Sequence, residues 1–467
     1  MLTKREFLAA MAATVVAPAG QAYGQDRAAR QLIAREGRAL LLEKGQPHTP
    51  IWGYDGAVPG PELRASQGRA FAIDVTNRLP EPTTVHWHGL RIDNAMDGVA
   101  GMTQAPIAQG ATFAYRFTPP DAGTFWYHPH NRTWAQMARG LYGAFVVEES
   151  TPPAVDQDRV LIFDDWRIGD DGRIDERSMG SLHDRAHAGR LGNILTLNGA
   201  AEQDIQVRAG QRIRFRLLNA ANARVMGIVF EGHAPIVVAL DGQPLEVPFA
   251  PDNNLVLLAP AQRADVIVDC TEETGTAARI LVAAGRERVQ LGRLVYDKSQ
   301  RARPRTLGGL PVLAPNPIDR TLDLKSAVPV DLVMDGGAMR QLPGAKFKGQ
   351  YYPMRDLALK HGQVWAFNGT AGMDAKPLFK VQRGATVAVR MVNRTMWPHA
   401  MHFHGHHVQE VSHSSRKPLP YWRDTILMER AETVTVAFKA DNPGKWMLHC
   451  HMLEHQAGGM GTWFQVT

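Results

Sequence analysis

The amino-acid sequence predicts an all-β protein made of three Greek-key sandwich or barrel domains in series. Three observations carry this. Short runs with apolar residues at every second position recur along the chain, as in "AFAIDVTNRL", "QRIRFRLLNA", "TVAVRMVNR" and "TVTVAFKA". A period of two marks a strand with one face buried. The 43 glycines and 30 prolines supply the turns that many short strands need, and long helical periodicity is nearly absent. A spacing also repeats: Gly68, Asn77 and His86 follow one another at nine-residue intervals, as do Gly384, Asn393 and His402, and Gly210, Asn219 and Ile228.

Each copy of the repeat reads as a glycine turn, an alternating strand, an asparagine turn and another strand. The second halves match as well. "DAGTFWYHPH" (121–130) aligns with "NPGKWMLHCH" (442–451), which sets Pro129 opposite Cys450. The repeat divides the chain into domains at 28–150, 156–297 and 320–467, joined by the Pro-rich stretches "TPPAVDQD" and "KSQRARPRTLGGLPVLAPNPIDR". The second join, with its arginines, is expected to be a solvated linker.

Residues 1–25, "MLTKREFLAAMAATVVAPAGQAYGQ", have the layout of an export signal: a charged Lys4-Arg5 pair, a short mildly apolar run, then small residues. The stretch resembles a twin-arginine signal with Lys4 in place of the first arginine, and predicts a periplasmic protein. The run is too short and too weakly apolar for stable membrane insertion. The formal charge of +6 is small for 467 residues and is not gathered into basic blocks, so the sequence argues against a nucleic-acid partner.

Only Cys270 and Cys450 are present, so no disulfide framework exists. Of eighteen histidines, eight (His48, His183, His187, His233, His361, His406, His407 and His413) read as ordinary surface or core residues. The other ten fall in four clusters: "HWHG" (His86, His88), "HPH" (His128, His130), "HAMHFHG" (His399, His402, His404) and "HCHMLEH" (His449, His451, His455). In a strand, successive side chains face opposite ways, so the two imidazoles of each His-x-His share a face. Four such pairs offer eight nitrogen ligands, enough for three metal ions. Cys450, the middle residue of the last pair, points the other way, toward His399, His455 and Met460. Two imidazoles, a thiolate and a weak thioether form the ligand set of a blue-copper electron-transfer site. The first domain has Thr83, Pro129, Gln136 and Leu141 at or near the positions of these four residues, and the middle domain has Ile228 and Phe230 at the first pair. The first domain would keep the cluster pairs but lack this mononuclear site, and the middle domain would hold no metal.

These segments resemble the four signature segments of the multicopper oxidases, over essentially the whole mature chain. The resemblance implies three cupredoxin-like domains and four copper ions. His399, Cys450, His455 and Met460 match the type 1 ligands. His86 and His402 match the type 2 ligands, and His88, His128, His130, His404, His449 and His451 the type 3 ligands. It implies one-electron oxidation of a reductant at the type 1 site, coupled to reduction of O2 to two waters. Asp97, in "NAMDG", resembles the family's acid near the type 2 site, although an Asp before Gly98 also forms turns. Where several bacterial relatives carry a second acid this chain has Gln456, with Glu454 nearby as a further candidate acid.

The expected partners are O2 and a small reducing substrate, met by a monomer. The 18 methionines are scattered, which favours a phenol or aromatic amine over Cu(I) as donor. Met334, Met339 and Met354 are expected in loops, where they would form at most a sparse metal-binding surface. A copper-free structural or cell-division protein of the same fold is the reading from another class.

Overall fold

The computed structural model describes residues 30–284, 287–298, 309–340 and 342–467. The export signal expected at 1–25, and Arg301, Arg303 and Arg305 of the second join, lie outside the described residues. The architecture is all-β, with six larger sheets in three pairs and one further two-stranded hairpin.

In the N-terminal pair, the strands Thr49–Tyr54, Arg30–Ala39, Phe71–Asn77 and Thr112–Phe117 lie side by side. They face a sheet of Leu63–Ser66, Gly143–Glu148, Gly123–His128 and His86–His88. The alternation read from the sequence is the inner face: Phe71, Ile73 and Val75 are buried with Trp87, Phe125 and Phe145 in one core. The middle pair has six and five strands around a core that includes Phe215, Ile228, Phe230 and Cys270. The C-terminal pair also has six and five, around Met391, Phe403, Trp446 and Phe464. In all three the first strand runs parallel to the strand that ends at the repeat asparagine.

The asparagines recur for a physical reason. Each side chain closes the same turn, accepting a backbone N–H two residues on and donating to two carbonyls. Asn77 accepts from Leu79 at 2.9 Å, Asn219 from Ala221 at 3.0 Å and Asn393 from Thr395 at 2.9 Å. Their amides donate to Glu81 and Ile107, to Arg224 and Leu258, and to Trp397 and Glu429. A buried turn must satisfy its polar backbone groups internally, and an Asx turn does so.

Two expectations are corrected. The described part of the second join is not a solvated linker. Asn316 is buried, accepts from Ala122 N–H at 2.8 Å and donates to the carbonyls of Ala122 and Gly242, stitching the first lobe to the middle one. Met334 is not in a loop but inside the strand Val328–Gly336, fully buried in the C-terminal core. Both cysteines are free and buried. Among the described residues, no helix is long and apolar enough to cross a membrane.

Candidate metal centre

The histidine strands meet edge to edge within each lobe. His86–His88 pairs antiparallel with Gly123–His128, setting His86 opposite His128. His399–Phe403 pairs antiparallel with Gly444–Cys450, setting His402 opposite His449 and Met401 opposite Cys450. The middle residues Trp87, Phe403 and Cys450 face their own cores, and the imidazoles face out. The two outer lobes then bring those faces together. His86 stacks on His404 at 4.0 Å between ring centres, and His88 on His402 at 3.7 Å.

The eight imidazoles are fully or almost fully buried and converge in groups. His88, His128 and His451 form one, His130, His404 and His449 another, and His86 and His402 join them from the side. Burial, reinforced by neighbouring imidazoles, pushes the basicity of His88, His128, His130, His402, His404 and His451 down, and that of His449 to about 3. Neutral imidazoles are the metal-ligating form.

The hydrogen-bond pattern fixes which nitrogen faces inward. His449 Nδ1–H donates to the Cys450 carbonyl at 2.9 Å, and His404 Nδ1–H to Asp97 Oδ2 at 2.9 Å. Their Nε2 atoms therefore carry lone pairs, and these lie 3.1 Å apart. His128 Nδ1–H donates to the Pro129 carbonyl, and its Nε2 lies 3.4 Å from His451 Nε2. The His404 and His449 lone pairs repel at 3.1 Å unless a cation lies between them. His86 Nε2 and His402 Nε2 are buried with no hydrogen-bond partner. Orphaned buried polar atoms of this kind point to a bound ion, and the donor set fits copper.

Two aspartates orient the cluster in a near-symmetric way. Asp97, from the first lobe, accepts His86 Nδ1–H on its backbone carbonyl at 2.8 Å and His404 of the third lobe on its carboxylate. Asp424, from the third lobe, accepts His402 Nδ1–H on its carbonyl at 3.0 Å and His88 Nε2–H of the first lobe on its carboxylate at 3.2 Å. His88 thus turns Nδ1 toward His128, 3.3 Å from its Nε2. Asp424 is also gripped by Arg263 of the middle lobe, at 2.9 and 2.5 Å, and this guanidinium holds the buried carboxyl well below its usual range. Gly89 of "HWHG" leaves space for that pair: a Cβ there would sit 2.4 Å from the Arg263 guanidinium and 2.6 Å from the Asp424 carboxylate. Gly98 has φ of +79°, and a Cβ would strike the Val85 carbonyl at 1.8 Å, so only glycine lets the Asp97 turn lie against the His86 strand.

On the opposite face of Gly444–Cys450, the Cys450 Sγ lies 3.7 Å from His399 Nδ1 and 3.8 Å from His455 Nδ1. The outer nitrogens are committed. His399 Nε2–H donates to Thr395 Oγ1 at 2.8 Å, and His455 Nε2–H to the His187 carbonyl at 2.6 Å. The two Nδ1 lone pairs therefore face each other at 3.1 Å beside the sulfur. Met460 is buried alongside, its carbonyl accepting Cys450 N–H at 3.1 Å and its N–H donating to the His455 carbonyl at 3.0 Å. Burial raises the Cys450 thiol to about 12 and lowers His455 to about 4. In the first lobe the matching place holds a hydrogen bond from Thr83 Oγ1 to Gln136 Oε1, 2.7 Å, with Leu141 buried nearby.

Glu454 bonds the middle lobe. It is buried, but Oε2 accepts from Arg190 N–H at 3.0 Å and Oε1 from the Asn222 amide at 2.9 Å, so both oxygens engage the middle lobe. Sequence reasoning missed Asp424 and Arg263, which belong to no histidine motif.

Multicopper oxidase family profiles match residues 38–152, 157–291 and 350–467. The multicopper oxidase MmcO of Mycobacterium tuberculosis is 31% identical over 90% of this chain and 84% of its own length. The chain belongs to the multicopper oxidase family. Among solved structures, Lac15 from a marine microbial metagenome is 38% identical with a TM-score of 0.75, covering 94% of this chain and all of its own. The multicopper oxidase of Campylobacter jejuni, described as a metallo-oxidase, is 25% identical with a TM-score of 0.75, covering 93% of this chain and 90% of its own. This multicopper oxidase is therefore a copper-dependent oxidoreductase with cupredoxin-like domains.

Proposed function

We propose that this multicopper oxidase couples four one-electron oxidations of a small reductant to reduction of O2 to two waters. His399, Cys450, His455 and Met460 would hold a type 1 copper. His86 and His402 would hold the type 2 copper, and His88, His128, His130, His404, His449 and His451 the type 3 pair. Copper supplies reversible one-electron chemistry at the sulfur and O2 reduction at the histidine cluster. The observation that supports the reading is a single strand end. Cys450 reaches the His399–His455 pair on one face, while its neighbours His449 and His451 reach the cluster on the other. A single peptide link on either side of Cys450 thus joins the electron-entry residues to the cluster.

The remaining residues position and protect. The lobes bury the imidazoles, which excludes water from the cluster. Asp97 and Asp424 fix the ring orientations, and Asp97 Oδ1, 3.2 Å from His86 Nδ1, is placed to carry a proton at the type 2 side. The complete donor set argues against the copper-free structural class. Export by the residues 1–25 signal would place a monomer in the periplasm, in domains spanning 28–150, 156–297 and 320–467.

For the donor, the scattered methionines favour a phenol or aromatic amine. A second reading, Cu(I), is supported by one contact: His455 Nε2–H is already committed to the His187 carbonyl, so a phenol has no free imidazole edge to bond there. The test is steady-state O2 uptake with a phenol and with Cu(I), each with and without added copper. Four electrons consumed per O2 with either donor supports the oxidase; no uptake by fully copper-loaded protein with any donor refutes it.

A further inference from the structure

We propose that Thr395 is a positioning residue of the type 1 site, whose hydroxyl sets the tautomer of His399 and tunes the copper held there. This rests on the reading of His399, Cys450, His455 and Met460 as type 1 ligands. Comparing the three lobes singles the residue out. Each lobe has the same Asx turn, in which the asparagine accepts the N–H of the residue two positions on. That residue is Leu79 in the first lobe, Ala221 in the middle lobe and Thr395 in the third. Six positions after the asparagine stand Thr83, Val225 and His399. Leu79 and Ala221 pack into the cores of their lobes and have no side-chain hydrogen-bonding group. A hydroxyl therefore enters this turn only in the lobe where an imidazole follows it.

The hydrogen bonds of that hydroxyl leave one arrangement. Asn393, Thr395 and His399 are all buried. A hydroxyl donates one proton and accepts on two lone pairs. Trp397 N–H takes one lone pair at 3.1 Å. The proton has two acceptors in its own turn, Asn393 Oδ1 at 2.8 Å and the Trp397 carbonyl at 3.1 Å. The carbonyl already accepts from the Asn393 amide at 2.8 Å, which favours Asn393 Oδ1. The second lone pair is left for His399 Nε2, 2.8 Å away, which carries its proton there. His399 Nδ1 is then the bare nitrogen, 3.7 Å from Cys450 Sγ. The opposite tautomer would place a proton on Nδ1, on the side where the ligand atoms meet. Trp365 touches the His399 ring edge-on, at 5.2 Å and 85°, but its indole N–H is committed to the Arg185 carbonyl.

An imidazole whose outer N–H is accepted by an oxygen is the more basic ligand, and a more basic ligand favours Cu(II) over Cu(I). Valine in place of Thr395 keeps the shape and the backbone bond to Asn393. It leaves His399 Nε2–H without an acceptor in a buried place. The ring then donates less to the ion and is freer to turn. His455 is held in the same manner by the His187 carbonyl, a backbone group, so Thr395 is the arm of the pair that a side-chain substitution can remove.

The experiment compares copper-loaded wild type with Thr395→Val, Thr395→Ala and Thr395→Ser. It follows the blue absorption through a redox titration and through competition with a copper chelator. Thr395→Val and Thr395→Ala, which lack the hydroxyl, should each raise the reduction potential of the blue copper and lower its affinity about 10–100-fold. Thr395→Ser, which keeps the hydroxyl, should return both toward wild type. Lost packing alone would lower the unfolding temperature of copper-free protein and leave the potential where it was. Variants equal to wild type in potential and chelator resistance overturn the positioning role and leave the type 1 reading standing, as does Thr395→Ser shifted as far as Thr395→Val. Copper-loaded wild type without blue absorption overturns that reading, and this proposal with it.

Discussion

Asp97 Oδ2 accepts a hydrogen bond from His404 Nδ1 at 2.9 Å, across 307 positions of sequence. The bond joins the first lobe to the third at the metal centre, and Asp424 with His88 makes the reciprocal link. Asp97→Asn keeps the shape but removes the charge and the capacity to pass a proton. We expect kcat to fall about 10–100-fold while the blue absorption is unchanged. A kcat within twofold of wild type would show that Asp97 acts only as a turn residue.

Arg263 and Asp424 are both fully buried, and each depends on the other. Removing one partner strands a charge in a low-dielectric interior. Arg263→Leu should destabilise the copper-free protein by about 3–5 kcal/mol in urea unfolding. Adding Asp424→Asn should recover a large part of that loss, and a double-mutant cycle with no coupling would contradict the assignment.

Glu454 ties the helix bearing His455 to the middle lobe. Glu454→Ala leaves Arg190 N–H without its acceptor and the Asn222 amide with only the Trp134 carbonyl, at a cost of about 1–3 kcal/mol. The pH profile of kcat should keep its shape, since both carboxylate oxygens are held by Arg190 N–H and the Asn222 amide. A profile that loses one limb would restore Glu454 as a working acid.

Acid should weaken the copper-free protein. In the unfolded chain a histidine takes a proton near pH 6.5, whereas folded His449 and His406 wait until about 3 and His455 until about 4. Between those values the unfolded state binds more protons. Each such group therefore contributes full stability above about 6.5, and loses about 1.4 kcal/mol per pH unit as pH falls below it. Thermal unfolding of copper-free protein should show Tm dropping between about pH 7 and 5. A flat or rising Tm over that range would contradict the burial of neutral imidazoles.

The histidine pairs and Cys450 were legible in the sequence because strand geometry alone sorts alternate residues onto two faces. The repeat asparagines were legible because an Asx turn needs the same residue at the same place in each lobe. Asp424 and Arg263 were not, because their partners lie in other lobes and no local pattern marks them. His187 read as an ordinary residue for the same reason: only the folded chain sets its carbonyl on His455. The join around Asn316 looked like a linker because prolines say nothing about what a segment packs against.

The most direct test is anomalous scattering at the copper edge from crystals of copper-loaded protein. The account predicts one peak enclosed by His399, Cys450, His455 and Met460, and three peaks among the eight imidazoles between the first and third lobes. Copper absent from the Cys450 side, or a cluster confined to one lobe, would contradict it.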